Sequence, residues 1–179
     1  LVLPEGVESE SIYLFDLALA CARRLPQVEF IFRMHPVLPF EKVSAMLAGY
    51  PPETKNVEVS DRSKIEEDFA RTGYVLYRGS STVMYAILAG LKPFYFERPG
   101  ELNFDPIFEL NIWREHVRSP EDLIQKFNID RKTAGEIRHR QWSTALGYCD
   151  RYTQPIREEA LDRMIEFSFL ARRRRGAED

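Results

Sequence analysis

Apolar positions along this chain fall into short β-rich runs separated by longer segments with helical spacing. Residues 1–3, 28–34, 56–59, 74–77 and 93–96 are predicted strands, and 28–34 (Val-Glu-Phe-Ile-Phe-Arg-Met) is the densest in β-formers. Between the first two lies 9–24, apolar almost all round (Ile12, Leu14, Phe15, Leu17, Leu19, Ala20), which predicts a helix buried on most of its surface. Residues 40–50 predict a more polar helix with Val43, Met46 and Leu47 on one face. Ser63 and Glu66 have capping-box spacing, so a helix is expected from there to about Arg71. Ser119-Pro120-Glu121-Asp122 reads as a cap, a first-turn proline and acids at the positive end of a helix running to about Phe127. Strands and helices thus alternate about five times. That pattern predicts an α/β, three-layer domain over residues 1–130, with a parallel sheet covered on both faces. Residues 131–179 hold no strand signal and predict a helical C-terminal extension, with segments at 134–152 and 155–170 and a closing Arg172-Arg173-Arg174-Arg175.

The stretch 74–96 organises the rest. It reads as strand, sharp turn, helix, strand. Gly79 breaks the first strand, Ser80, Ser81 and Thr82 open the helix, and Gly90 stands where a left-handed C-cap is expected. The first N–H groups of a helix have no internal partner and carry the positive end of the dipole, so three hydroxyls there make a site for phosphate. The plain alternative is that Ser80 or Ser81 caps the helix. In parallel sheets ligands bind beyond the carboxyl ends of the strands. Four segments fall at such ends: 5–11, 33–36, 79–82 and 97–105. Arg33 can hold a diphosphate by a two-pronged contact, and His35 can donate to it or act as an acid. Gly6 and Ser9 border the same place through their N–H groups. Glu97 can accept from sugar hydroxyls, with Arg98 and Asn103 as donors.

Composition narrows the class. The 179 residues carry a net charge of −3, so no global field favours nucleic acid. Cys21 and Cys149 lie far apart, without CxxC or clustered histidines, which argues against a zinc site or disulfide framework and fits a cytoplasmic chain. There is no Asp-x-Asp pair and no acid cluster suited to magnesium or manganese, so no metal and no cofactor is expected. No apolar run reaches the ~18 residues of a membrane span. The chain opens Leu-Val-Leu-Pro, already inside a predicted strand, and is expected to be a fragment with its upstream part removed. The terminal arginine run reads as a solvated tail or as a contact for anionic lipid headgroups at the inner face of a membrane.

Arg33-Met34-His35-Pro36, then Gly79-Ser80-Ser81-Thr82 and a helix ending Ala89-Gly90-Leu91-Lys92-Pro93, together resemble the donor-binding half of GT-B glycosyltransferases. They are most similar to the bacterial capsule and teichoic-acid types of surface-polysaccharide transferase. The resemblance covers roughly 1–127. It implies a Rossmann-like domain that holds a nucleotide-activated sugar or polyol, with Arg33 and His35 acting at the leaving diphosphate. It also implies a missing N-terminal domain, which usually binds the acceptor (here a saccharide or lipid-linked one) and often supplies the base. By that resemblance the helical tail crosses to the other domain, and Trp142 and Phe167 await a partner. Two alternatives stay open: a non-hydrolysing UDP-sugar epimerase, and a non-catalytic α/β module whose tail is its interface. Donor, acceptor, base and stereochemical outcome are not specified by the residues.

Overall fold

A computed structural model describes residues 1–48, 50, 55–155, 159, 161 and 163. Two compact units divide the chain, Leu1–Cys149 and Asp150–Asp179. The first carries the whole sheet and, from the helical extension, the first part of its helix; the remaining predicted helix and the arginine run lie outside the described residues, apart from Pro155, Glu159, Leu161 and Arg163.

The elements alternate in the expected order: β1 (Val2–Leu3), α1 (Glu8–Arg24), β2 (Phe30–Phe32), α2 (Phe40–Ser44), β3 (Val57–Val59), α3 (Ile65–Phe69), β4 (Tyr74–Tyr77), α4 (Val83–Leu88), β5 (Lys92–Phe96), β6 (Glu115–Val117), α5 (Pro120–Asp130) and α6 (Gly135–Thr153). All six strands are parallel and ordered β3-β2-β1-β4-β5-β6, a Rossmann-like sheet. Side chains alternate across it. Phe30, Phe32, Leu76 and Phe94 face a core built with Leu14, Phe15, Leu19, Leu123 and Phe127 of α1 and α5, where Phe15 stacks on Phe32 at 4.4 Å. Ile31, Val75, Tyr77 and Tyr95 face the other core, with Phe69 of α3, Val83 and Ile87 of α4, and Ala145, Tyr148 and Cys149 of α6. Every strand residue of β1, β2 and β5 except Phe96 is buried, which is why those runs read as continuously apolar.

Local signals were met where the chemistry is local. Gly90 has φ +92 and turns the chain from α4 into β5. The Ser119 hydroxyl accepts from the Asp122 N–H at 3.2 Å, and Pro120 opens α5. Elsewhere long-range partners intervened. The capping box at Ser63 does not form: α3 starts after Lys64, and the carbonyls of Ser63 and Lys64 accept from Arg33 instead. Helix α2 stops at Ser44 and turns follow it. β6 was not expected; Glu-His-Val is short, with Val117 alone buried in the core, and becomes a strand through pairing with β5. Trp142 is not the exposed aromatic that the resemblance implied. It is half-buried in the second core, and its indole N–H donates to the Ile87 carbonyl at 2.8 Å. No helix among the described residues is long and apolar enough to cross a membrane.

Candidate functional site

The strand order reverses direction between β1 and β4. The connection after β1 leads to β2 on one side, and that after β4 leads to β5 on the other, so the loops at their carboxyl ends part and leave a crevice. Close approaches tie these loops together. A Cβ on Gly6, after β1, would lie 3.0 Å from His35 Nδ1 and 2.9 Å from Val37 Cγ2, both after β2. A Cβ on Gly79, after β4, would overlap the Glu5 carboxylate. Only glycine fits at either position without a shift of its neighbour. Gly6, His35 and Gly79 are therefore gathered at one rim, and Ser80–Thr82 follow directly.

The three hydroxyls do not cap α4. Thr82 is the residue before the helix, in right-handed helical conformation, with no side-chain cap bond. The Val83 and Met84 N–H groups bond within the turn, to the carbonyls of Ser80 (3.2 Å) and Ser81 (3.1 Å). The side chains of Ser80, Ser81 and Thr82 have no hydrogen-bond partner among the described residues, and Ser81 is exposed. Glu5 is similar. Its half-buried carboxylate makes no hydrogen bond among the described residues, and burial, reinforced by Glu10 and opposed by Arg78, raises its pKa above the ordinary glutamate value.

Arg33 stands at the same rim, two strands from Ser80, but its guanidinium is turned to the β3–α3 connection. It donates to Asp68 Oδ2 at 2.6 Å and to the Ser60 hydroxyl at 3.5 Å, besides the two carbonyls named above. Asp68 is 0% exposed and also accepts from Ser60 at 2.7 Å. A buried carboxylate needs such a partner, so Arg33 holds the loop after β3 in place. Ser9 lies exposed in the first turn of α1 between Glu8 and Glu10. Glu97 sits outboard, between β5 and β6, accepting from Arg118 and His116 at 3.1 Å; the Arg118 bonds chiefly hold its pKa below the ordinary range. Asn103 accepts from the Asp105 N–H at 2.9 Å and shapes the loop after β5.

Arg78 was not singled out in the sequence. It is 1% exposed, directly below Gly79, and is paired with Glu10 of α1 and with Glu101 of the loop after β5; it also donates to the Phe96 carbonyl at 3.2 Å. Arg98 joins it: Nη1 is 2.8 Å from Glu101, and its guanidinium lies 3.6 Å from the centre of the Tyr13 ring. A signal was available, since an arginine extending the apolar run Tyr-Val-Leu-Tyr must be buried and paired. The base of the β5 loop is anchored by Asp105, which accepts from Tyr77 at 2.8 Å, from the Ile107 N–H at 3.0 Å and from Arg114. Burial first, then Asp105, pushes the Tyr77 phenol well above its usual range.

The opposite, amino-terminal end of the sheet differs in kind. There a cavity of about 450 Å³ is lined largely by apolar side chains, among them Val2, Leu25, Phe94 and Phe127. Beside it Lys92, Asp130, Tyr74, Glu115 and Arg138 form a closed network. Among the described residues no three His, Cys, Asp or Glu side chains group as a metal site. Cys21 and Cys149 are free and buried, and burial pushes their thiols up to about 12 and about 11. No protein-family model matches the chain, and no curated protein matches it.

Proposed function

We propose that this chain is the donor-binding half of a GT-B-type glycosyltransferase, transferring a sugar or polyol phosphate from a nucleotide-activated donor in the synthesis of a cell-surface polysaccharide. The observation that carries this reading is the meeting of Gly6, His35 and Gly79 at the β1/β4 crevice, with three unpartnered hydroxyls beside them. Hydrogen-bonding groups left without partners at a switch point are what a bound diphosphate requires. In the proposed complex Ser80, Ser81 and Thr82 donate to the diphosphate. His35 donates from the β2 side. As the bond between the transferred group and its phosphate oxygen breaks, negative charge grows on that oxygen, and these fixed donors stabilise it without reorganising. Arg33, neutralised by Asp68, holds the loop after β3 rather than the diphosphate. Gly6 and Ser9 border the phosphates, and Glu97, Arg98 and Asn103 lie on the side of the transferred group. The acceptor and the catalytic base belong to a second domain across the crevice.

The reading of the chain as a partner-binding module drew on the tail as an interface. Trp142 is half-buried and bonded to Ile87 within its own unit, which gives that reading less exposed aromatic surface to draw on.

Calorimetric titration of the protein with UDP-, CDP- and GDP-activated sugars and with CMP-activated sugars tests the proposal. Saturable binding of one class is expected, weakened about tenfold or more in His35→Ala, the size of one lost charge-assisted contact. Folded protein that binds none of them would end it.

A further inference from the structure

Glu101 makes an unusual contact for a surface glutamate. Its Oε2 pairs with Nη2 of Arg78, while its Oε1 lies 2.8 Å from Nη1 of Arg98. One carboxylate is thus held between two guanidinium groups, as two oxygens of a phosphate would be. We propose that the Arg78–Arg98 pair is an oxyanion clamp for a phosphate group of the ligand, and that Glu101 occupies it in the free chain as a built-in competitor. The inference rests on the donor-binding reading for the source of that phosphate.

The two sides of the clamp are built differently. Arg78 is immobilised independently of Glu101: it pairs with Glu10 in the first turn of the 17-residue α1 and donates to the Phe96 carbonyl at 3.2 Å. Arg98 is braced on the Tyr13 ring of the same helix. Glu101 comes from the tip of a loop. Gly100 beside it has φ +83, and Glu101 and its neighbours Leu102, Asn103 and Phe104 are exposed. The base of that loop is fixed at Asp105 and, through the Phe104 N–H on the Tyr95 hydroxyl at 3.2 Å, at Phe104, so release of Glu101 from the clamp requires movement of residues 100–103 alone. The Glu101 side chain is 35% exposed, against 1% for that of Arg78.

Charge favours the exchange. With Glu101 in place, Arg78 and Arg98 face Glu101, Glu10 and, close by at Gly79, Glu5. When Glu101 leaves, one negative charge is removed beside a buried guanidinium, where the attraction for an anion is least screened. Gly79, Ser80 and Ser81 follow Arg78 directly in the chain, at the same strand end.

The test uses inorganic pyrophosphate, titrated calorimetrically at fixed ionic strength into the wild type, Glu101→Gln, Glu101→Ala and Glu136→Gln. Glu136 is exposed at the start of α6 and controls for net charge. Pyrophosphate is expected to bind at least fivefold tighter to both Glu101 variants and unchanged to Glu136→Gln. Equal or weaker binding to the Glu101 variants overturns the clamp, and so does the same gain in Glu136→Gln. The same four proteins are then titrated with the nucleotide sugars. If none binds although the Glu101 variants have gained affinity for pyrophosphate, the clamp stands and the donor-binding reading falls. If a nucleotide sugar binds the wild type and the Glu101 variants equally, that reading stands and the clamp falls.

Discussion

The two ends of the sheet use the same residue types to opposite effect. At the amino end, Lys92 is 5% exposed and pairs with Asp130 at 2.7 Å and Glu115 at 3.1 Å. Asp130 also accepts from Tyr74 at 3.0 Å and from Arg138, whose guanidinium lies 5.4 Å from the Trp113 ring. Both carboxylate oxygens of Asp130 are engaged, and its partners come from β4, β5 and α6. Such a network fixes one arrangement of strands and helices. At the carboxyl end, the Ser80–Thr82 hydroxyls and the Glu5 carboxylate have no hydrogen-bond partner among the described residues, and Glu101 reaches its arginines from an exposed loop. Charge and burial by themselves do not distinguish a structural cluster from a binding site. Hydrogen-bonding capacity left over after folding does.

The largest effect is expected at the amino end. Asp130→Asn keeps the shape but leaves Lys92 with Glu115 as its remaining carboxylate, and should cost about 3 kcal/mol, the scale for breaking a buried ion pair. Urea unfolding measures it. A loss below about 1 kcal/mol would show that end to be as slack as the other. The contrast sharpens with Ser81→Ala. Because the hydroxyl has no partner within the described residues, its removal should leave stability within about 0.5 kcal/mol while lowering nucleotide-sugar affinity about tenfold, one hydrogen bond's worth. Unchanged affinity would put Ser81 outside the site.

The smallest effect is expected at Glu5. Its pKa is raised in the folded chain, so the folded state binds that proton more tightly than the unfolded one. Stability is then lost as pH rises from the ordinary glutamate pKa through the raised one, and the cost is fully present above it. Glu5→Gln removes that cost. It should raise the thermal midpoint slightly at pH 7 and give no gain below about pH 4, the region of the ordinary glutamate pKa. Scanning calorimetry at both pH values checks the sign, and a lower midpoint at pH 7 would mean that Glu5 is engaged as its carboxylate.

How much of this was legible in the chain follows from the range of each interaction. Alternating apolar runs and helical spacings were enough for the α/β layering and the order of elements through β5, because burial on both sheet faces writes itself into contiguous residues. Gly90 and Ser119 were readable for the same reason: a left-handed turn or a cap concerns atoms within four residues. The gathering of strand-end segments at one rim also followed from parallel topology. What only the tertiary structure decided was which polar groups consume one another. Arg33 is bound by Asp68, 35 positions on, and the buried Arg78 by Glu10, far earlier in the chain, and Glu101, 23 positions on. Trp142 bonds to Ile87, and Glu115, His116 and the buried Val117 became β6 because β5 offered an unpaired edge. A side chain's residue type says what bonds it can make; which of them remain for a ligand depends on neighbours that the folded sheet brings together.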